Sequence, residues 1–111
     1  MELTPRQQAL YQRVLKLYRE AGVQVPSVRF ASRLIGAPPD AIRAMLELGI
    51  QLGEVAYLGE GLYYPIETLQ QIAEQLRQLA EPIRVADVRN LTQSSRRYAY
   101  AILNWYRSQS S

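Results

Sequence analysis

Apolar residues recur at three- and four-residue intervals along most of this chain, and breaks in that rhythm mark where its elements end. Thr4-Pro5 opens the first helix, because Thr can accept from the free amides of a first turn and Pro lacks only an amide that has no helical partner there. The helix is predicted over 5–21, with Ala9, Leu10, Val14, Leu17 and Tyr18 as its inner stripe and Gly22 as its stop. Val25-Pro26-Ser27 reads as an extended link, Ser27 as the cap of a short helix over 28–35, and Gly36 as its end. Pro38-Pro39-Asp40 opens a third helix over 39–52, with Ile42, Met45, Leu46 and Ile50 inward and Gly49 and Gly53 loosening its end.

The period then shortens to two. Residues 54–58 and 62–64 read as strands joined by a Gly59-Glu60-Gly61 turn, with Pro65 ending the second. Strand alternation places Tyr63 and Tyr64 on opposite faces, one inward and one outward. A fourth helix over 67–80 carries Leu69, Ile72, Ala73, Leu76, Leu79 and Ala80 on one stripe. Beyond the break at Glu81-Pro82, residues 83–85 read as a brief strand and 86–93 as a short helix. Thr92, Ser94 or Ser95 caps a last helix running to about residue 108, and the final Ser-Gln-Ser-Ser frays. The fold class is therefore mainly α with a small β-hairpin. Three helices followed by a hairpin is the order of a winged helix, a helix-turn-helix with a β-wing, and the second run repeats the helix-turn-helix without one. We expect tandem modules, 1–65 and a wingless 66–111, sharing the helix at 67–80.

Composition removes most enzyme classes. The 111 residues include no Cys and no His, so the commonest nucleophile, general base and metal ligands are missing. Asp40, Glu47, Glu54, Glu60, Glu67, Glu74, Glu81 and Asp87 are spread singly, and no Gly-rich loop ends in Gly-Lys-Ser/Thr. The expectation is a non-enzymatic, cytoplasmic protein without catalytic residues, metal, cofactor or membrane-spanning segment. Charge adds direction. The net +3 divides into +4 over 1–33, −5 over 34–81 and +4 over 82–111, and 12 of the 13 cations are Arg. The planar fork of Arg suits phosphates and base edges better than the point charge of Lys.

The last helix concentrates that chemistry. At 100° per residue, with Arg96 at zero, Arg107 falls at about 20°, Tyr100 at about 40°, Asn104 at about 80° and Arg97 at about 100°. Tyr98, Ala99, Ile102, Trp105 and Tyr106 occupy the opposite, core-facing arc. Arg and Asn make forked hydrogen bonds to guanine and adenine edges, Tyr can stack on an unpaired base, and a helix start favours phosphate. A solvated face would mix signs, whereas this stripe holds three Arg and no acid.

The stretch Ile83-Arg84-Val85-Ala86-Asp87-Val88-Arg89-Asn90-Leu91-Thr92-Gln93-Ser94-Ser95-Arg96-Arg97-Tyr98-Ala99 resembles the last winged-helix domain of the bacterial selenocysteine-specific elongation factor SelB. There an apolar residue and an Arg-Asp turn precede a Ser-Arg-Lys-Tyr stretch that opens the recognition helix. Residues 20–81, with Gly49-Ile50, Gly53-Glu54-Val55 and Gly61-Leu62-Tyr63-Tyr64, are more loosely similar to the preceding winged-helix domain. The resemblance implies a grip on the tip of an RNA hairpin in the message, through backbone and extruded bases. Carried over by position, it points to Arg89, Ser95, Arg96, Arg97 and Tyr98, of which Tyr98 lies on the core-facing arc. The family's wing after this helix and its GTPase and tRNA-binding parts have no counterpart in the sequence, so the resemblance does not extend to elongation-factor activity.

The leading expectation is thus binding of structured RNA through the helix at 94–107, by Arg89, Ser95, Arg96, Arg97, Tyr100, Asn104 and Arg107. Two alternatives stand beside it. One is a DNA-binding regulator using the same helix in a major groove, which a dimer would favour; monomer and dimer are both open. The other is a protein-interaction module presenting Tyr57, Tyr63 and Tyr64 from the acidic middle, since aromatics are favoured at protein interfaces and an anionic surface repels phosphate.

Overall fold

A computed structural model of the protein describes residues 2–109. Its elements run α1 (Pro5–Ala21), α2 (Val28–Ile35), α3 (Pro39–Gln51), β1 (Val55–Tyr57), β2 (Tyr63–Pro65), α4 (Ile66–Arg77), α5 (Val85–Thr92) and α6 (Arg96–Gln109). The architecture is mainly α with one antiparallel hairpin, the winged-helix order expected. Among the described residues no helix is long and apolar enough to cross a membrane.

Local signals set the helix ends. Thr4 Oγ1 accepts from the Gln7 amide at 3.1 Å while Gln7 Oε1 accepts from the Thr4 amide at 3.0 Å, so two orphan donors are satisfied reciprocally. Ser27 Oγ accepts from the Phe30 amide at 3.1 Å, and Gly36 closes α2 at φ 81°, in the left-handed region that favours glycine. Asp87 Oδ2 accepts from the Arg84 amide at 2.9 Å at the start of α5.

Packing then departs from the sequence reading in five places. The inner stripe of α1 is Tyr11, Val14, Leu15 and Tyr18; Ala9 is exposed, and Leu10 and Leu17 are half-buried. The stripe turns because Tyr11 buries its ring while its hydroxyl donates to Glu54 Oε1 at 2.5 Å, which hydropathy alone does not price. Gly49 does not loosen α3: it is buried in the helix, where a Cβ would stand 2.5 Å from Val55 Cγ2. Tyr63 and Tyr64 are both buried, at 7% and 0% exposed. The hairpin pairs Ala56 with Tyr64 and Tyr57 with Tyr63, and both tyrosines of β2 are covered: the Tyr63 ring packs against Tyr57 with centroids 4.7 Å apart and planes tilted by 40°, and the Tyr64 hydroxyl donates to the Val23 carbonyl at 2.5 Å. Residues 83–85 form no strand; Ile83 is buried in a link and Val85 already belongs to α5. Finally, Ser108 and Gln109 continue α6, while Ser110 and Ser111 lie outside the described residues.

One apolar cluster runs from Tyr11, Val14 and Tyr18 through Ile42, Leu46, Leu62 and Tyr64 to Leu76, Val88, Ile102 and Leu103. Leu103, 2% exposed, falls at about 340° on the same wheel, beyond the arc predicted for α6 and beside Arg96, so the buried side of the helix is wider than its pattern predicts.

Candidate nucleic-acid interface

The short α5 and the turn Gln93 to Ser95 carry the chain onto α6. Gln93 takes a left-handed conformation at φ 55°, and Thr92 Oγ1 donates back to the Val88 carbonyl at 2.7 Å, so the reversal is tight. Ala99, Ile102 and Leu103 are buried beneath α6, with Tyr98, Trp105 and Tyr106 half-buried beside them. This anchoring leaves Arg96, Arg97, Tyr100, Asn104 and Arg107 exposed on one face, as the 100° spacing predicts.

Two of these arginines are oriented by the rest of the protein. Arg97 Nη2 donates to the Glu60 carbonyl at 3.0 Å, and its guanidinium lies 5.5 Å from the centroid of the Tyr98 ring, a cation–π distance. Arg107 Nη2 donates to the Ile83 carbonyl at 3.1 Å. A guanidinium carries five N–H donors, so holding one of them on a carbonyl fixes the fork without consuming it.

Two of the hollows beside α6 adjoin Arg96. The first, about 470 Å³, lies between the β1–β2 turn and α6, lined by Leu58, Gly59 and Glu60 on one side and Arg96, Arg97, Tyr100 and Asn104 on the other. The second, about 270 Å³, lies where α5 and α6 begin and is lined by Arg84, Arg89 and Arg96. Ser95 is exposed in the turn between them. The structure thus brings Arg96, Arg97, Tyr100 and Asn104 together in one cleft and Arg89 with Arg96 in the other, while Arg107 stands further along the helix against Ile83.

Sequence reasoning missed Arg84 and Glu60. The pattern reads Arg84 as part of a strand, although its position just before an acidic first turn marks it as the residue preceding a helix. Glu60 counts in the sequence only toward the acidic middle, and the folded chain alone brings it against α6. Of the proposed protein-facing tyrosines, Tyr63 and Tyr64 are withdrawn into the core, and only Tyr57 is exposed, its hydroxyl accepting from the Gly61 amide at 3.1 Å.

Residues 74–107 match the family model described as elongation factor SelB, winged helix. Among solved structures, the chain is similar to the mRNA-binding domain of elongation factor SelB from E. coli in complex with SECIS RNA, with a TM-score of 0.79. The fold is a SelB-type winged-helix fold. The two chains are 24% identical, and the likeness covers 94% of this chain and 86% of the E. coli one. No curated protein matches the chain. The SelB-like segment begins within α4 and reaches Arg107, so it contains Arg84, Arg89, Ser95, Arg96, Arg97, Tyr100 and Asn104. The hairpin turn that faces them lies outside it.

Proposed function

We propose that this protein binds structured RNA, a hairpin above all, through α6 and the α5–α6 turn, and that it does so without catalysing a reaction. The observation that carries this reading is the convergence of Arg84, Arg89, Arg96 and Arg97 with Tyr100 and Asn104 on one exposed face of a fold whose solved likeness holds SECIS RNA. Guanidinium forks at the two helix starts suit backbone phosphates, which set affinity and position, while Tyr100 and Asn104 offer stacking and an amide to an unpaired base. On this reading the first module, 1–65, is the support and the second, 66–111, makes the principal RNA contacts. The partner is cytoplasmic RNA, and one recognition helix on one chain suffices.

Fluorescence-anisotropy titration tests this, with labelled SECIS RNA and a DNA duplex of matched length at two salt concentrations. The RNA is expected to bind more tightly than the duplex and to weaken as salt rises, because bound cations release counterions from phosphate. Arg96→Ala with Arg97→Ala should weaken RNA binding by at least about tenfold, the scale of losing charge-assisted hydrogen bonds. Unchanged affinity in that double variant overturns the assignment of this face, and tighter binding to the duplex moves the reading to DNA.

A further inference from the structure

One side of α2 is apolar and basic at once, and it faces outward. With Val28 at zero and 100° per residue, Arg29 and Arg33 fall at about 100° and 140°, and Phe30 and Leu34 at about 200° and 240°. The opposite arc holds Ala31, fully buried, with Val28, Ser32 and Ile35 half-buried, so α2 packs by that side. Phe30 and Leu34 remain 52% and 55% exposed. Both line a groove of about 610 Å³ between α1, α2 and the hairpin turn, whose lining continues through Leu17, Val25 and Leu62. The charges around it are nearly all positive. Arg29 and Arg33 run along α2, Arg97 stands at the hairpin end, and Arg13 reaches the far end of α2, where its Nη2 donates to the Ile35 carbonyl at 2.8 Å. Glu20 is the one acid in the lining. Among the described residues no ion pair joins any of these four arginines to a carboxylate.

We propose that this groove docks an acidic amphipathic helix of a protein partner. The proposal stands apart from the RNA-binding reading, since the groove belongs to the first module and, Arg97 and Tyr98 aside, lies outside the SelB-like segment. An amphipathic helix enters a groove through anchors at i, i+3, i+4 and i+7. Phe30 and Leu34, one turn apart, offer such a row two apolar side chains to pack on. The polar flanks of the incoming helix then meet the rim, where carboxylates pair with Arg29 and Arg33 along α2 and with Arg97 at the hairpin end. Each guanidinium brings five donors, and no acid of its own chain pairs with it. A basic helix would set its cations against the same rim unpaired, so charge selects the partner. RNA would satisfy the arginines but not the groove. The aliphatic Leu17, Val25 and Leu34 give a base no ring to stack on, and covering them favourably takes apolar side chains.

The test uses the full chain and labelled synthetic helices of about 16 residues, roughly four turns. The first carries leucines on one face with glutamates flanking them, the second has lysines in place of the glutamates, and the third keeps the composition of the first with the leucine positions scrambled. Anisotropy titration is expected to give micromolar binding of the glutamate helix and at least about tenfold weaker binding of the other two. Phe30→Ala with Leu34→Ala should weaken the glutamate helix by at least about tenfold, the scale of losing interface anchors. Circular dichroism should not change in that variant, because both side chains are more than half exposed. Arg29→Glu with Arg33→Glu should reverse the preference toward the lysine helix. The proposal is overturned if the glutamate and lysine helices bind alike, if none binds, or if the Phe30 and Leu34 double variant binds as the wild type does. Two further results overturn it by naming another occupant. Self-association in sedimentation that the same double variant abolishes assigns the groove to a second copy, and loss of hairpin RNA affinity in that variant, with no peptide bound, assigns it to RNA.

Discussion

Burial raises the hydroxyl pKa of Tyr18 from the ordinary 10.0 to about 12, with the neighbouring Tyr63 adding to the shift. Tyr64 is pushed up by burial and then by Tyr98, and Tyr11 by burial and then by the Glu54 carboxylate its hydroxyl bonds to. Each group keeps its proton longer in the folded chain than in the unfolded one. The stabilisation is therefore fully present below pH 10 and is lost as pH rises through 10 toward 12 and beyond, because the unfolded state releases its protons first. Circular dichroism followed with tyrosinate absorbance should show the folded signal falling over that alkaline range. Tyr64→Phe should cost about 1 kcal/mol at neutral pH, the net worth of its hydrogen bond to the Val23 carbonyl, and move the alkaline loss to higher pH. Neither expectation is legible in the chain itself, where Tyr63 and Tyr64 read as an alternating pair. Alternation names opposite faces; it does not say that both side chains are covered.

Within single elements, the caps and stops at Thr4, Ser27, Gly22 and Gly36 were legible because each is a bond between residues a few positions apart. The rotation of α1 was not, since it depends on Glu54, 43 residues away, accepting from Tyr11. Gly49 shows the same limit in α3. Alanine at an interior helical glycine ordinarily gains about 0.5–1 kcal/mol. Here its Cβ would meet Val55 Cγ2 at 2.5 Å, Val55 Cβ at 3.0 Å and the Tyr11 hydroxyl oxygen at 3.2 Å. Gly49→Ala should therefore destabilise by about 1–3 kcal/mol, the scale of overpacking, seen as a lower urea midpoint. Adding Val55→Ala should recover part of that loss if the clash is its source. A midpoint that rises in the single variant would show that α3 and β1 part easily.

The whole molecule is elongated, 47 × 27 × 20 Å with a radius of gyration of 14.7 Å, against about 13 Å for a compact chain of this length. Its apolar cluster nevertheless runs without a break from α1 to α6, through the hairpin and α4. Contacts from α6 back to the hairpin turn, such as Arg97 on the Glu60 carbonyl, span the same region. Trp105, the single tryptophan, reports on α6, whereas far-ultraviolet circular dichroism reports on all six helices. The two signals should fall together in a urea titration, as one cooperative core requires. Separate transitions would mean that the halves fold independently.

Sequence alone determined the order of the helices and the hairpin, the capped helix ends, and the five polar positions on one side of α6, because periodicity and capping are short-range and need no knowledge of the fold; it overran α4 beyond Arg77 and placed a strand at 83–85 where none forms. Tertiary structure decided what those positions face. It turned α1 to bury Tyr11, covered both Tyr63 and Tyr64 on the hairpin, gathered Arg84 with Arg89 and Arg96, and set Glu60 against α6. Such juxtapositions join residues tens of positions apart through packing, and local pattern carries no record of them.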